Sequence, residues 1–267
     1  FAIVAFTLAV VGQELWRGTR ARRVMTGEAW PAALSSLIGR NRRRYGGYTV
    51  HAGIALLFLG VAASSAFVEQ RDERLSPGET IAVDDYEITY REPTAEIFGD
   101  SGGTGAAITF GAVLEVTDGD ESFTLNPLRN YYPVGPTAAS GPLARFFEGQ
   151  PTSEVDLRWG LGEDVWVAVQ PDVDRIAARF AEADERFQTA STAAQVEALR
   201  QVPMIYRSDP PPAQFRVLVS PLVSWIWVGG AVVVLGALIS LWPAPDARRR
   251  RVTSLYAARL GRELSRA

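Results

Sequence analysis

Two uncharged apolar segments constrain this chain most. Residues 217–242, VLVSPLVSWIWVGGAVVVLGALISLW, contain no charged side chain, and residues 45–67, YGGYTVHAGIALLFLGVAASSAF, contain none unless their histidine is protonated. A bilayer core needs about 20 apolar residues as helix, and both segments meet that length. Backbone groups in lipid must be satisfied within the segment, so both are expected to be helical. Residues 1–16, FAIVAFTLAVVGQELW, read as the end of a third, truncated span. The first residue is Phe1 rather than Met, so the chain is expected to begin within a longer protein, and no signal peptide is legible.

Arginine placement gives the orientation. All 27 basic residues are arginine. Eight lie in the stretch 17–44 against a single acid, Glu28, and seven lie in the tail 243–267 against Asp246 and Glu263. Residues 68–216 hold twelve arginines against twenty-six acids. The positive-inside rule then places 17–44 as a basic cytoplasmic loop, 45–67 and 217–242 as transmembrane helices, and 243–267 as a basic cytoplasmic tail. The acidic segment 68–216 falls outside. Within the loop, Trp30, Leu34, Leu37 and Ile38 recur at helical spacing, as in a short helix lying on a membrane surface. The basic stretches lack base-reading or stacking groups, so topology explains them and nucleic-acid binding does not.

The outer segment alternates apolar and polar residues in paired runs. They are 80–90 around Asp84-Asp85, 106–125 around TDGDES, and 153–170 around a Gly-rich turn. Such pairs read as hairpins, and about six short strands suggest a small antiparallel sheet or partial barrel. In 172–200 the period changes: Val173, Ile176, Phe180, Ala183 and Phe187 share a helix face, with a break expected near 189–192. The Pro- and Gly-rich stretch 133–152 reads as a loop. The fold class is therefore an integral membrane α-helical protein with an extracytoplasmic β-rich (α+β) domain inserted between two transmembrane helices.

Several chemistries are excluded. There is no cysteine, which removes disulfides, thiolate metal sites and thiol catalysis, and a single histidine cannot build a multi-histidine metal cluster. Asp84 and Asp85 read as solvated turn residues. Asp118, Asp120 and Glu121 lack the remaining positions of a calcium loop. Gly102, Gly103 and Gly105 lack the strand-to-helix context of a phosphate loop. Trp225, Trp227 and Trp242 read as an aromatic belt.

His51 stands apart. An ionisable residue inside a span is costly and commonly functional. It lies roughly 5 Å into the helix from Tyr48 at the helical rise per residue. Its own context leaves open a packing or snorkelling role, a proton relay, a quinone contact or an axial heme ligand. Gly46, Gly53 and Gly60 repeat every seven residues as a small-residue stripe for close helix packing. His51 lies nearly opposite Gly53 around the helix and so is expected to face a different neighbour or a cofactor.

The segment NRRRYGGYTVHAGIALLFLGVAASSAF resembles the C-terminal part of the CcmF/NrfE-type cytochrome c maturation proteins, the large membrane subunits of the bacterial heme lyase. The resemblance continues through LSPGETIAVDDYEITYRE, FTLNPLRNYYP, TSEVDLRWGLGEDVWVAV and SPLVSWIWVGGAVVVLGALISLW, and it leaves 172–200 as a variable insertion. It implies a protein of the inner (plasma) membrane, multi-pass, with residues 68–216 extracytoplasmic. It implies heme b held between two histidines on different transmembrane helices, with His51 matching the second and serving as an axial iron ligand. It also implies that heme b delivers electrons to keep the attaching heme reduced. The implied partners are apocytochrome c, a heme chaperone, other heme lyase subunits, membrane lipid, and an upstream part of the same protein that supplies the other ligand. The family's tryptophan-rich heme-presenting motif is not in this sequence, so no residue here is expected to form the thioether bond. The alternative is a non-catalytic membrane-anchored scaffold whose outer domain binds an assembly partner. A proton or solute pathway through His51 is weaker, because two charge-free spans offer few polar pore groups.

Overall fold

A computed structural model describes residues 1–98, 107–135, 145–174, 176–178 and 191–242. The chain divides into two compact units, one of helices from Phe1–Ala66 and from Leu222 onward, the other from Phe67–Pro221.

The helical unit begins with α1 (Ala2–Thr26), α2 (Trp30–Arg40) and α3 (Arg42–Ala66), and ends with α6 (Ser224–Leu241). The stretch read as a basic loop is therefore almost entirely helical. Arginine is a good helix former, and charge alone carries no signal against helix. α1 stops at Gly27, whose left-handed φ of 69° lets its N–H cap the Arg23 carbonyl at 2.8 Å. Pro31 then sits in the first turn of α2, where its missing N–H costs nothing.

α3 and α6 run antiparallel in close contact. The glycine stripe of α3 makes this possible: a Cβ on Gly53 would lie 2.6 Å from the Val233 backbone nitrogen. α6 answers with its own pair seven residues apart. A Cβ on Gly229 would meet the Leu57 nitrogen at 2.5 Å, and one on Gly236 the Val50 nitrogen at 2.6 Å. Both helices are long and apolar enough to cross a membrane. α1 packs on α3 where Gly18 leaves room for the buried Tyr45 ring. Glu14 of α1 accepts from Arg44 at 2.5 Å and from the Tyr48 hydroxyl at 3.3 Å.

The second unit is a two-layer antiparallel β structure. One sheet has the order β1 (Glu69–Leu75), β10 (Ala213–Pro221), β9 (Glu163–Pro171), β8 (Asp156–Arg158). The other runs β2 (Thr80–Val83), β3 (Tyr86–Phe98), β4 (Ala107–Asp118), β6 (Leu128–Tyr131), β7 (Thr152–Glu154), with β5 (Glu121–Leu125) also paired to β4. β7 and β8 are separated only by Val155, so one extended stretch passes from sheet to sheet. The core follows from alternation: Val165, Val167 and Val169 of β9 and Phe215, Val217 and Val219 of β10 point inward against Ile88, Tyr90, Leu114 and Val116. A second cluster lies under α5 (Thr192–Ser208), where Val202 and Tyr206 pack on Ile108, Phe110 and Tyr131, and the short helix α4 (Arg145–Glu148) adds Phe146.

The three expected hairpins are present, as β2–β3, β4–β5 and β8–β9. Three other readings need correction. Residues 217–221 are the end of β10 rather than the start of a span, and the last helix begins at Ser224. Among the described residues the unit has ten strands rather than about six. The helical stretch read as 172–200 continues to Ser208 as α5, after Ser191 caps its N-terminus by accepting from the Ala194 N–H. Phe180, Ala183, Phe187, Gly102, Gly103, Gly105 and the tail 243–267 lie outside the described residues.

Buried phenols make this unit sensitive to alkali. Burial pushes the Tyr90 hydroxyl up to about 12, and burial raises Tyr131 and, further, Tyr206. In the unfolded chain a phenol titrates near pH 10. Their folded-state values are raised, so the stability they contribute is fully present below about pH 10 and is lost as pH climbs toward the folded values. The thermal midpoint of the β unit is expected to fall steeply from about pH 10 to about 12. A midpoint that stays level over that range would contradict this.

Candidate functional site around His51

His51 sits on α3 with its side chain exposed, outside the α3–α6 contact. The helix turns Gly46, Gly53 and Gly60 inward, and the opposite stripe carries His51, Ile54, Phe58 and Val61, all exposed. The site is thus one imidazole at the head of an apolar stripe.

The ring is oriented by its own helix. His51 Nδ1 lies 2.7 Å from the Gly47 carbonyl oxygen, one turn back. A carbonyl only accepts, so in the neutral ring Nδ1 carries the proton and donates. Nε2 then keeps its lone pair and points away from the helix. That is the arrangement of a metal-ligating histidine, in which the second nitrogen is fixed by a carbonyl. From His51 to Val61 the stripe carries no second titratable group; Tyr48, three residues before His51, bonds to Arg44 and Glu14.

A group with a large apolar face and a metal needing an axial nitrogen fits this surface. The stripe provides contact area, and the fixed tautomer provides the donor. The sequence holds no other histidine and no cysteine, so it offers no second ligand of either kind. Among the described residues no group of three or more histidine, aspartate or glutamate side chains could hold a metal ion.

The remaining candidates resolve as turns or surface. Asp84 takes a left-handed φ of 52° in the β2–β3 turn, with Asp85 following. Asp118 and Glu121 close the β4–β5 turn through Asp120, and Glu121 pairs with Arg158 at 3.2 Å. Trp227 and Trp242 are exposed at opposite ends of α6, and Trp225 lies in its first turn. The Glu14–Arg44–Tyr48 cluster was not foreseen, because residues 30 or more apart in sequence carry no local signal of pairing.

No protein-family model matches the chain. The chain is similar to the cytochrome c-type biogenesis protein CcmF of Escherichia coli (strain K12), 23% identical over 206 residues, covering 77% of this chain and 24% of that protein. It is also similar to the protein of the same name from Pseudomonas aeruginosa (strain PAO1), 24% identical over 199 residues, covering 74% of this chain and 22% of the relative. The chain therefore spans about a quarter of the length of the curated relatives it matches. A solved structure titled cytochrome c heme lyase CcmF aligns with 88% of this chain and 34% of its own, at 19% identity and a TM-score of 0.46.

Proposed function

We propose that this chain, a CcmF-type chain by its sequence relatives, acts in cytochrome c biogenesis by supplying His51 as one axial ligand to a heme b within a membrane-embedded heme lyase. The observation that carries the reading is the Nδ1 contact to the Gly47 carbonyl, which leaves Nε2 facing outward above Ile54, Phe58 and Val61. Heme, when bound, supplies one-electron exchange. His51 would hold the iron, and Ile54, Phe58 and Val61 would cover part of the macrocycle with hydrocarbon.

On this reading α3 and α6 cross the inner membrane, the arginine-rich ends face the cytoplasm and the β unit lies outside. The second axial ligand comes from an upstream part of the same protein. Apocytochrome c, a heme chaperone and other lyase subunits are the partners of the outer unit. The covalent attachment step belongs to residues beyond this sequence.

The test is an optical spectrum of the intact membrane protein, oxidised and reduced, wild type against His51→Ala. The expected result is a reduced b-type spectrum that is lost or shifted in the variant, with the thermal midpoint little changed. An unchanged heme spectrum would remove His51 as a ligand. No heme in either protein, with heme supplied during expression, would favour a scaffold. The exposed Trp159 and Leu161 in the β8–β9 turn would then be the first surface to examine. Asp84→Ala and Asp85→Ala are expected to leave heme content unchanged in the same measurement.

A further inference from the structure

An apolar hollow of the helical unit lies away from His51. It is a groove of about 550 Å³ between α2 and the C-terminal half of α6. Its walls are Ile38 and Gly39 of α2 and Leu235, Leu238 and Trp242 of α6. One charged side chain lines it, Arg42, at the corner where α2 turns into α3. Arg42 is half-buried, and its Nε donates to the Gly39 carbonyl at 3.2 Å, which fixes the guanidinium at the groove's lip.

Arg40 and Arg43 are exposed near that lip, and the acids of this end, Glu28 and Glu14, are paired with Arg22 and Arg44. A long hydrocarbon-lined groove with a cationic lip is complementary to an amphiphile with an anionic head. Inorganic phosphate or a nucleotide would leave the apolar walls unused. If α3 and α6 span the membrane as proposed above, this corner lies at the cytoplasmic leaflet, where anionic lipids collect and where basic pockets between helices hold their head groups.

We propose that the α2–α6 groove is a binding site for an anionic phospholipid, with an acyl chain against Leu235, Leu238 and Ile38 and the phosphate at Arg42. The lipid fills the hollow between α2 and α6 and so supports the corner from which α3 rises toward His51.

Gly39 provides a clean test, because a Cβ there would meet nothing within 4 Å. Leucine at this position would add side-chain volume to the α2 wall of the groove. The intact membrane protein is purified in detergent, and native mass spectrometry counts bound dioleoylphosphatidylglycerol or dioleoylphosphatidylcholine after each is added alone. Wild type is expected to retain one phosphatidylglycerol per chain through a delipidating wash. Gly39→Leu is expected to lose it, and Arg42→Gln to lose about fivefold of the preference for phosphatidylglycerol over phosphatidylcholine, the effect of one cation at a membrane surface. Equal retention of the two lipids by wild type, or undiminished retention by Gly39→Leu, overturns the proposal. The same outcomes would also indicate that another part of the protein fills the groove.

The site is separable from the heme reading. Gly39→Leu is expected to keep the heme spectrum, and His51→Ala to keep the lipid. If the protein is released from membranes by alkaline carbonate, the membrane placement fails and the lipid site with it. If it stays embedded and retains no phosphatidylglycerol, only the lipid site fails.

Discussion

Replacing Gly53 or Gly229 with leucine is expected to separate α3 from α6 and to abolish a stable helical unit. A Cβ on Gly53 would lie 2.6 Å from the Val233 nitrogen and 2.7 Å from the Gly229 oxygen, and one on Gly229 would lie 2.5 Å from the Leu57 nitrogen. These neighbours are backbone atoms of a helix, which cannot swing aside as the end of a side chain can. Overpacking against movable side chains costs about 1–3 kcal/mol, so a clash with backbone on both sides belongs at or above the top of that range. Gly47→Ala and Gly230→Ala are the controls, since a Cβ at either position meets nothing within 4 Å. They are expected to shift the thermal midpoint of the detergent-solubilised protein little, where the leucine variants aggregate or melt far lower. Heme retention is expected to fall with the leucine variants as well, because the α3–α6 contact holds the opposite face, and with it His51, turned outward. Leucine variants that melt like wild type would mean that the glycine stripe is not a packing surface.

The glycine stripe shows what kind of structural information is legible in one sequence. Small residues seven apart on an apolar segment have few uses other than close approach of helices. The same spacing recurs in the partner, at Gly229 and Gly236. The hairpins were legible for a related reason, since Asp84-Asp85 and Asp118-Gly119-Asp120 interrupt alternating runs with residues that tolerate left-handed backbone. The start of the last span was not legible. VLVSP is uncharged and apolar, so hydropathy merges it with the helix that follows. Only the alternation of buried Val217 and Val219 with half-buried Leu218 marks it as strand. β1 was missed for the opposite reason. Its sequence EQRDERL has no apolar face at all, and all but Leu75 are exposed. It is held by its ladder to β10 and by an Arg216 pair on Asp72 at 2.7 Å, partners 144 residues apart. The tautomer of His51 was also out of reach, because it depends on the distance from one ring nitrogen to one carbonyl.

The α5 helix offers the last test, because its aromatic anchor separates ring packing from hydroxyl chemistry. Tyr206→Ala is expected to destabilise the β unit by about 3–5 kcal/mol, the usual range for removing a large buried aromatic ring. Tyr206 is fully buried, and its ring centre lies 4.5 Å from that of Phe110, beside Tyr131 and Val202. Tyr206→Phe is expected to stay within about 1 kcal/mol of wild type, or to gain slightly. The Tyr206 hydroxyl is buried beside that of Tyr90, and neither makes a well-formed hydrogen bond. Removing one such group relieves a desolvated polar atom and costs only a weak contact between the two hydroxyls. The two variants should also part in alkali. Tyr206→Phe removes one phenol whose folded-state value is raised, so its loss of stability above about pH 10 should be shallower than that of wild type. Chemical denaturation at pH 7 and at pH 11 measures both effects. A Phe variant as unstable as the Ala variant at neutral pH would show that the hydroxyl is bonded after all, and would make the Tyr90–Tyr206 contact a structural link between the two cores.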